Sequence, residues 1–153
     1  WVRDKLLGLD SDDIDVALDN VTGLAFAGLV DARLAELGLE RHRVGLIQAN
    51  PEQSKHLETV AVRVLGVDVD MVNLRSETYA EDSRIPAVEF GSPVSDALRR
   101  DLTINALFYN LRARAVEDLT GRGVADLRGG LCRTPLPARK TFLDDPLRVL
   151  RAV

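Results

Sequence analysis

The ten residues DSDDIDVALD, positions 10–19, constrain the fold more than any other stretch. Ile14, Val16 and Leu18 alternate with Asp13, Asp15 and Ala17. Alternation at period two is the pattern of a half-buried strand, in which residues i and i+2 share a face. The aliphatic set takes the core face and Asp13 and Asp15 take the other, their Cα atoms roughly 6.6 Å apart from the strand rise. Two carboxylates this close raise each other's pKa unless a cation lies between them. Hard oxygen donors suit Mg²⁺. The same pattern also fits an edge strand kept soluble by its charge, and Asp-x-Asp taken alone does not choose.

The remaining chain reads as mixed α and β. WVRDKLLG resembles the end of a helix closed by Gly8. Thr22 is placed to cap a helix over TGLAFAGLVDARLAELG that stops at Gly38. RVGLIQ, HLETVAVRVLG and VDVDMVNLR read as strands, the last two as sheet neighbours, with NPEQSK as a break. Residues 76–95, with two prolines and a glycine, read as a long loop, functional or mobile. DALRRDLTINALFYNL reads as helix, in one piece or two. AVEDL follows as a short strand, GRGVADLRGG as a turn, short helix and glycine stop, and LCRTPLP as extended chain. DDPLRVLRAV opens a last helix with Pro146 in its first turn. The order predicts a small α+β domain over residues 1–130, with residues 131–153 as linker and the start of a helical domain.

Composition narrows the function classes. Of 153 residues, 46% are apolar and 29% charged, the balance of a globular domain. No apolar run approaches a membrane span. One cysteine, Cys132, excludes a disulfide framework and a cysteine-rich zinc site. Net charge is −4, yet residues 1–98 hold nine Lys/Arg against eighteen Asp/Glu, and residues 99–153 hold eleven against six. An acidic chain is a poor self-sufficient nucleic-acid binder, while a basic C-terminal third can face phosphates. The terminal residues Trp1 and Val153 read as cut ends of something longer.

A second constellation lies in RRDLTINALFYN, residues 99–110. On a helix, Asp101 and Asn105 are one turn apart on one face. Leu102, Ala106 and Tyr109 form one apolar row, and Ile104, Leu107, Phe108 and Leu111 another. A helix buried on most sides does not carry an aspartate and an asparagine without partners. Capping by Asp101 and a backbone contact for Asn105 would also satisfy them.

RRDLTINALFYN closely resembles the RRD-x-T-x-NA motif of the class II nucleotidyltransferases, the tRNA CCA-adding enzymes and related bacterial poly(A) polymerases. WVRDKLLG…DIDVALD is similar to their first motif, RGVADLRGGLCRTP to the hinge motif, and DDPLRVLRAV to E-D-x-x-R. The stretch from Asn50 to Tyr79 resembles the eukaryotic CCA-adding branch. Two departures stand out: the glycine pair that precedes V-R-D is absent, and Asp144 replaces the glutamate of E-D-x-x-R.

The resemblance implies a polymerase-β-like head, a small mixed sheet flanked by helices, followed by the start of a helical neck. It implies two Mg²⁺ ions on Asp13 and Asp15, which activate a 3′-hydroxyl and hold the leaving pyrophosphate, with Asp70 as the further catalytic carboxylate and Asp68 on its face. Arg3, Arg100, Asp101 and Asn105 would bind the nucleotide, Asp101 by accepting from the 2′-hydroxyl that marks ribose. Asp145 and Arg148 would read the base. Cytosine and adenine each show an amino donor beside a ring-nitrogen acceptor, and an aspartate beside an arginine complements that order. Gly121, Gly123, Asp126, Gly129 and Gly130 would form a hinge that resizes the pocket between steps.

The implied function is template-independent transfer of CMP and AMP from CTP and ATP to the 3′ end of tRNA. A poly(A) polymerase shares every motif, and an RNA-binding module with a dead head is the rival from another class. The implied setting is intracellular, in cytoplasm, nucleus or mitochondrion, with no membrane partner. This chain by itself is expected to be weak or inactive.

Overall fold

The structure is a computed structural model describing residues 1–39, 44–47, 59–78 and 87–153. NPEQSK and the middle of the 76–95 segment lie outside the described residues. The chain divides into two compact units, one formed by Trp1 and residues 11–74 and the other by residues 2–10 and 75–153.

The first unit is a four-stranded sheet with one helix. Strand β1 (Ile14–Leu18) lies at the edge and pairs in parallel with β4 (Val67–Asn73). β4 pairs antiparallel with β3 (Thr59–Val64), and β3 with β2 (Val44–Ile47), giving the order β1-β4-β3-β2. β3 and β4 form the expected hairpin, turned by Leu65 and Gly66, both at positive φ. Helix α2 (Gly23–Glu36) crosses between β1 and β2 in sequence; Thr22 Oγ1 accepts from Ala25 N at 3.3 Å, and Gly38 follows at φ +68°.

Leu18, Ala27, Val60, Val62 and Met71 make the core, with Val16, Phe26 and Val30 against it. Thus Val16 and Leu18 turn inward as the alternation requires. Gly23 lets α2 approach the sheet, because a Cβ there would stand 2.9 Å from Val60 Cγ2 and 3.3 Å from Met71 O. Asn73 fixes the chain as it leaves β1, donating from Nδ2 to Leu18 O at 3.3 Å and Val21 O at 2.8 Å.

The second unit begins with helix α1 (Val2–Leu6) and Gly8 at φ +71°. It continues with β5 (Arg75–Thr78) and β6 (Ala87–Phe90), an antiparallel pair with Arg75 opposite Phe90. The expected long loop over 76–95 is therefore corrected to a two-stranded ribbon and the start of a helix. That helix, α3 (Pro93–Leu98), opens on a capping box between Ser92 and Ser95 with Pro93 at its first position.

The expected helix through residues 99–110 is also corrected. α3 ends at Leu98; Leu102 is extended at φ −128°, Thr103–Asn105 is a single 3₁₀ turn, and Leu107–Asn110 is a strand, β7. Two forces stop the helix. Asp101 Oδ1 takes the Leu102 N–H at 2.8 Å, a local bond that competes with helix propagation. β7 gains a ladder with β8 (Ala115–Asp118). Leu102, Ala106 and Leu107 are buried, but Tyr109 and Leu111 are 40% and 72% exposed, so the two apolar rows do not persist.

Helix α4 (Gly123–Gly129) ends on left-handed Gly130 as expected. Helix α5 (Ala138–Asp144) precedes the expected last helix, α6 (Leu147–Leu150), whose N-cap is Pro146. Among the described residues no helix is long and apolar enough to cross a membrane.

Candidate active site

The acidic site lies in the first unit. The parallel register sets Asp15 opposite Asp70, and Ala61 opposite Asp70 on the other side. Directly opposed residues share a face, so Asp15 and Asp70 lie side by side, away from the apolar core. Asp13 precedes β1 by one residue and is exposed, like Asp15. Partial burial pushes the Asp70 carboxyl up, and Asp15, Asp13 and Asp68 push it further by repulsion. Asp68 has its own counter-ion, Arg63, at 3.8 Å.

Asp13 and Asp15 thus repel Asp70, and among the described residues no cation pairs with any of the three. Among the described residues no three acids, histidines or cysteines are gathered tightly enough to cage an ion. A magnesium site does not need such a cage, because Mg²⁺ keeps several waters and takes one or two carboxylates plus substrate phosphates. An all-oxygen donor set under mutual repulsion fits that ion.

The second unit carries the other expected residues, with those assigned to nucleotide binding in three groups and the hinge residues apart. In the first, Arg3 Nη1 donates to Asn105 Oδ1 at 2.6 Å, and Asn105 Nδ2 donates to Asp101 Oδ1 at 3.1 Å. Asp101 and Asn105 meet as the i,i+4 spacing required, although a 3₁₀ turn, not an α-helix, brings them together. Arg3 also holds Asp4, Nε to Oδ1, at 2.8 Å. Asp101 is 6% exposed, and its Oδ2 is buried with no hydrogen-bond donor among the described residues.

The second group surrounds Asp96, which sequence reasoning missed. This buried carboxylate receives Arg99 through Nε and Nη2 at 2.9 and 2.7 Å on Oδ1. Arg100 reaches Oδ2 through Nε and Nη2 at 3.2 and 2.9 Å, and Arg75 N reaches Oδ1 at 3.2 Å. Burial alone would raise the Asp96 pKa, but Arg99 and Arg100 outweigh it and hold the carboxyl below the usual range. The Arg100 guanidinium also stands 5.3 Å from the Phe108 ring centroid. Its direction is therefore fixed by an acid and an aromatic face. The signal was available: Asp96 precedes Arg99 and Arg100 by three and four residues.

The third group joins Arg148, which is buried, to Glu77 Oε2 at 3.5 Å and to Asp145 Oδ2 at 3.6 Å. Asp145 Oδ1 accepts from Leu147 N at 3.0 Å, so Asp145 satisfies the first N–H of α6 while standing beside Arg148. Glu77 also accepts from Arg99 Nη1 at 2.7 Å. It was likewise missed, because its partners lie 22 and 71 residues away in the chain.

Two of the expected hinge residues, Asp126 and Gly123, pack against Thr103. Asp126 is buried and accepts from Thr103 Oγ1 at 2.7 Å, with Arg133 Nε 3.7 Å from its other oxygen. A Cβ on Gly123 would stand 2.6 Å from Thr103 O. Gly121 turns at φ +74°, whereas a Cβ on Gly129 would meet only Leu131 at 3.6 Å. Asp118 opens α4 by accepting from Val124 N at 3.0 Å and Thr120 Oγ1 at 2.8 Å. Burial raises its pKa, and these bonds with those from Gly123 and Gly121 bring it below the usual range.

Comparison with known proteins defines the class. Residues 1–133 match the family described as Poly A polymerase head domain, and the chain belongs to that family. Over 157 aligned positions it is 57% identical to the mitochondrial CCA tRNA nucleotidyltransferase of Candida glabrata, covering 100% of this chain and 30% of that protein. The apo form of a CCA-adding enzyme matches 99% of the chain at a TM-score of 0.78 and 28% identity, over 32% of that enzyme. A tRNA nucleotidyltransferase bound to a primer tRNA and an incoming ATP analog matches 99% of the chain at 0.68 and 27%, over 37% of its own length. The expected α+β nucleotidyltransferase head is therefore the observed fold, and the chain spans about a third or less of the relatives it matches.

Proposed function

We propose that this chain is the head of a template-independent nucleotidyltransferase that adds CMP and AMP from CTP and ATP to the 3′ end of tRNA, releasing pyrophosphate. The observation that carries the proposal is the register of Asp15 against Asp70, with Asp13 one residue ahead of β1. Identity to a CCA tRNA nucleotidyltransferase along the whole chain supports CCA addition over poly(A) synthesis. The 3′-hydroxyl oxygen forms the new bond to the α-phosphorus, and the bond to the β-phosphate bridging oxygen breaks.

Asp13 and Asp15 are the residues that would hold two Mg²⁺, with Asp70 as the further carboxylate beside them. When bound, the metal supplies acidification of the attacking hydroxyl and charge neutralisation at the leaving group. Arg100, held by Asp96 and Phe108, is assigned to phosphate oxygens. Asp101 offers Oδ2 to the ribose 2′-hydroxyl, and Asn105 and Arg3 keep its other oxygen engaged and aimed. Asp145 and Arg148 present an acceptor beside a donor to the base edge, with Glu77 anchoring the arginine. Gly121, Gly123, Asp126, Gly129 and Gly130 are assigned to the pivot, and residues 131–153 to the linker and first turns of the neck. The mitochondrial relative makes mitochondria the first compartment to examine.

The test is extension, by the full-length protein with Mg²⁺, CTP and ATP, of a tRNA transcript lacking its last three nucleotides. A stop after three additions that needs both nucleotides is the expected result, and Asp13→Asn abolishes it. A long ladder made from ATP alone makes the protein a poly(A) polymerase. No extension by folded protein leaves an RNA-binding module.

A further inference from the structure

Asp101 holds one oxygen in reserve. Oδ1 accepts from Leu102 N and Asn105 Nδ2, while Oδ2 is buried and receives no hydrogen bond from the described residues. What stands against Oδ2 is Arg151, which follows α6; its Nε lies 3.1 Å away as an ion pair without hydrogen-bond alignment. The two partners differ sharply in freedom. The Asp101 side chain is 6% exposed and held by two donors, whereas the Arg151 side chain is 69% exposed. One member of the pair is fixed and the other can leave.

We propose that Arg151 is a latch over the ribose acceptor: it neutralises Asp101 in the empty head and must swing aside before a 2′-hydroxyl can donate to Oδ2. The proposal rests on the reading of Asp101 as the group that meets ribose. In its closed position the guanidinium covers the one acceptor of Asp101 that no protein donor uses. Opening it returns the exposed Arg151 guanidinium to water and exchanges an ion pair without hydrogen-bond alignment for an aligned hydroxyl donor on the buried Oδ2. A ribonucleotide therefore opens the latch. A 2′-deoxynucleotide has nothing to offer Oδ2 and leaves it closed. Arg151 thus sets how much of the hydroxyl's binding energy appears as preference for ribose.

Calorimetric titration of the full-length protein with ATP and with 2′-deoxyATP tests this. The readout is the ratio of the two affinities, which cancels any general loss of positive charge near a triphosphate. Arg151→Ala and Arg151→Gln are expected to raise the ATP/2′-deoxyATP ratio by about two- to fivefold, the scale of one ion pair whose cation is exposed. Asp101→Asn is expected to lower the ratio. A ratio that drops in Asp101→Asn but stays level or falls in both Arg151 variants overturns the latch and leaves the ribose reading intact. A ratio unchanged by Asp101→Asn overturns both. Arg151 is exposed, so neither substitution removes a core contact, and two chemically different replacements guard against an effect peculiar to one.

Discussion

The two units treat their carboxylates in opposite ways. In the first, Asp13, Asp15 and Asp70 lie together and their mutual repulsion is left standing. By sequence, Trp1 and residues 11–74 hold five Lys/Arg against eleven Asp/Glu. In the second, Asp96, Glu77 and Asp126 each meet one or more arginines within 4 Å. Acids that are paired internally are costly to unpair, because removing one partner leaves an uncompensated charge. Acids left facing one another are better placed to receive an ion from outside, and this singles them out as candidates for a site.

The sharpest way to break that comparison is to neutralise one acid from each unit. Asp15→Asn is expected to lower nucleotide incorporation by on the order of a thousandfold or more, with no loss of thermal stability, since it relieves repulsion. Asp96→Asn is expected to cost about 3–5 kcal/mol of stability by leaving two partly buried arginines short of their acid. Incorporation assays paired with thermal unfolding read both. An Asp15→Asn protein that melts well below the wild type would place Asp15 among the structural acids.

Magnesium sharpens the contrast without mutation. Saturation at ten to thirty times Kd is expected to stabilise the first unit by about 1–2 kcal/mol. Asp15→Asn and Asp70→Asn are expected to remove the shift and Asp96→Asn to keep it, in melts run with and without Mg²⁺.

The pH dependence has opposite signs in the two units. The Asp70 pKa is raised in the folded chain, so the stability that its proton contributes at low pH is lost as pH rises through the ordinary carboxylate range to the folded value. The Asp96 pKa is lowered, so its stabilisation is full above the ordinary value and is lost as pH falls through the folded one. Denaturant midpoints from pH 3 to 7 (roughly the carboxylate range and above) are expected to show a shallower acid loss in Asp96→Asn and a steeper one in Asp70→Asn.

The comparison also explains what could be read in the chain beforehand. The acidic strand was legible because period-two alternation is local and a parallel neighbour only had to supply one more acid, Asp70. Helix α2 was legible from Thr22 and Gly38. Residues 99–110 were not, because apolar spacing that suits a helix also suits a turn followed by a strand. The deciding contacts are the Asp101 bond to Leu102 N and the ladder of β7 with β8. The β5–β6 ribbon failed for the same reason, since its partner strand lies across the interval read as loop. Asp101, Asn105, Asp145 and Arg148 stand out as candidates by spacing and resemblance together, whereas Glu77 depends on partners distant in sequence.

The smallest expected effect separates two glycines that one motif treats alike. Gly123 and Gly129 were both assigned to the pivot. A methyl group at Gly123 meets Thr103 O, Leu107 Cδ2 and Asp118 Oδ1, two of them polar groups of the packed turn. Gly123→Ala is expected to cost about 1–3 kcal/mol, the usual range for overpacking. At Gly129 the same methyl meets only Leu131 at ordinary contact distance, and its φ is not in the left-handed region. Gly129→Ala is expected to stabilise by about 0.4–1 kcal/mol through the unfolded chain. If Gly129 nevertheless works as a pivot, Gly129→Ala will slow the switch from C to A addition while raising the melting temperature. If it does not, the rate of the third addition will stay at the wild-type level, and the pivot contracts to Gly121 and Gly130, the two motif glycines whose positive φ an alanine resists.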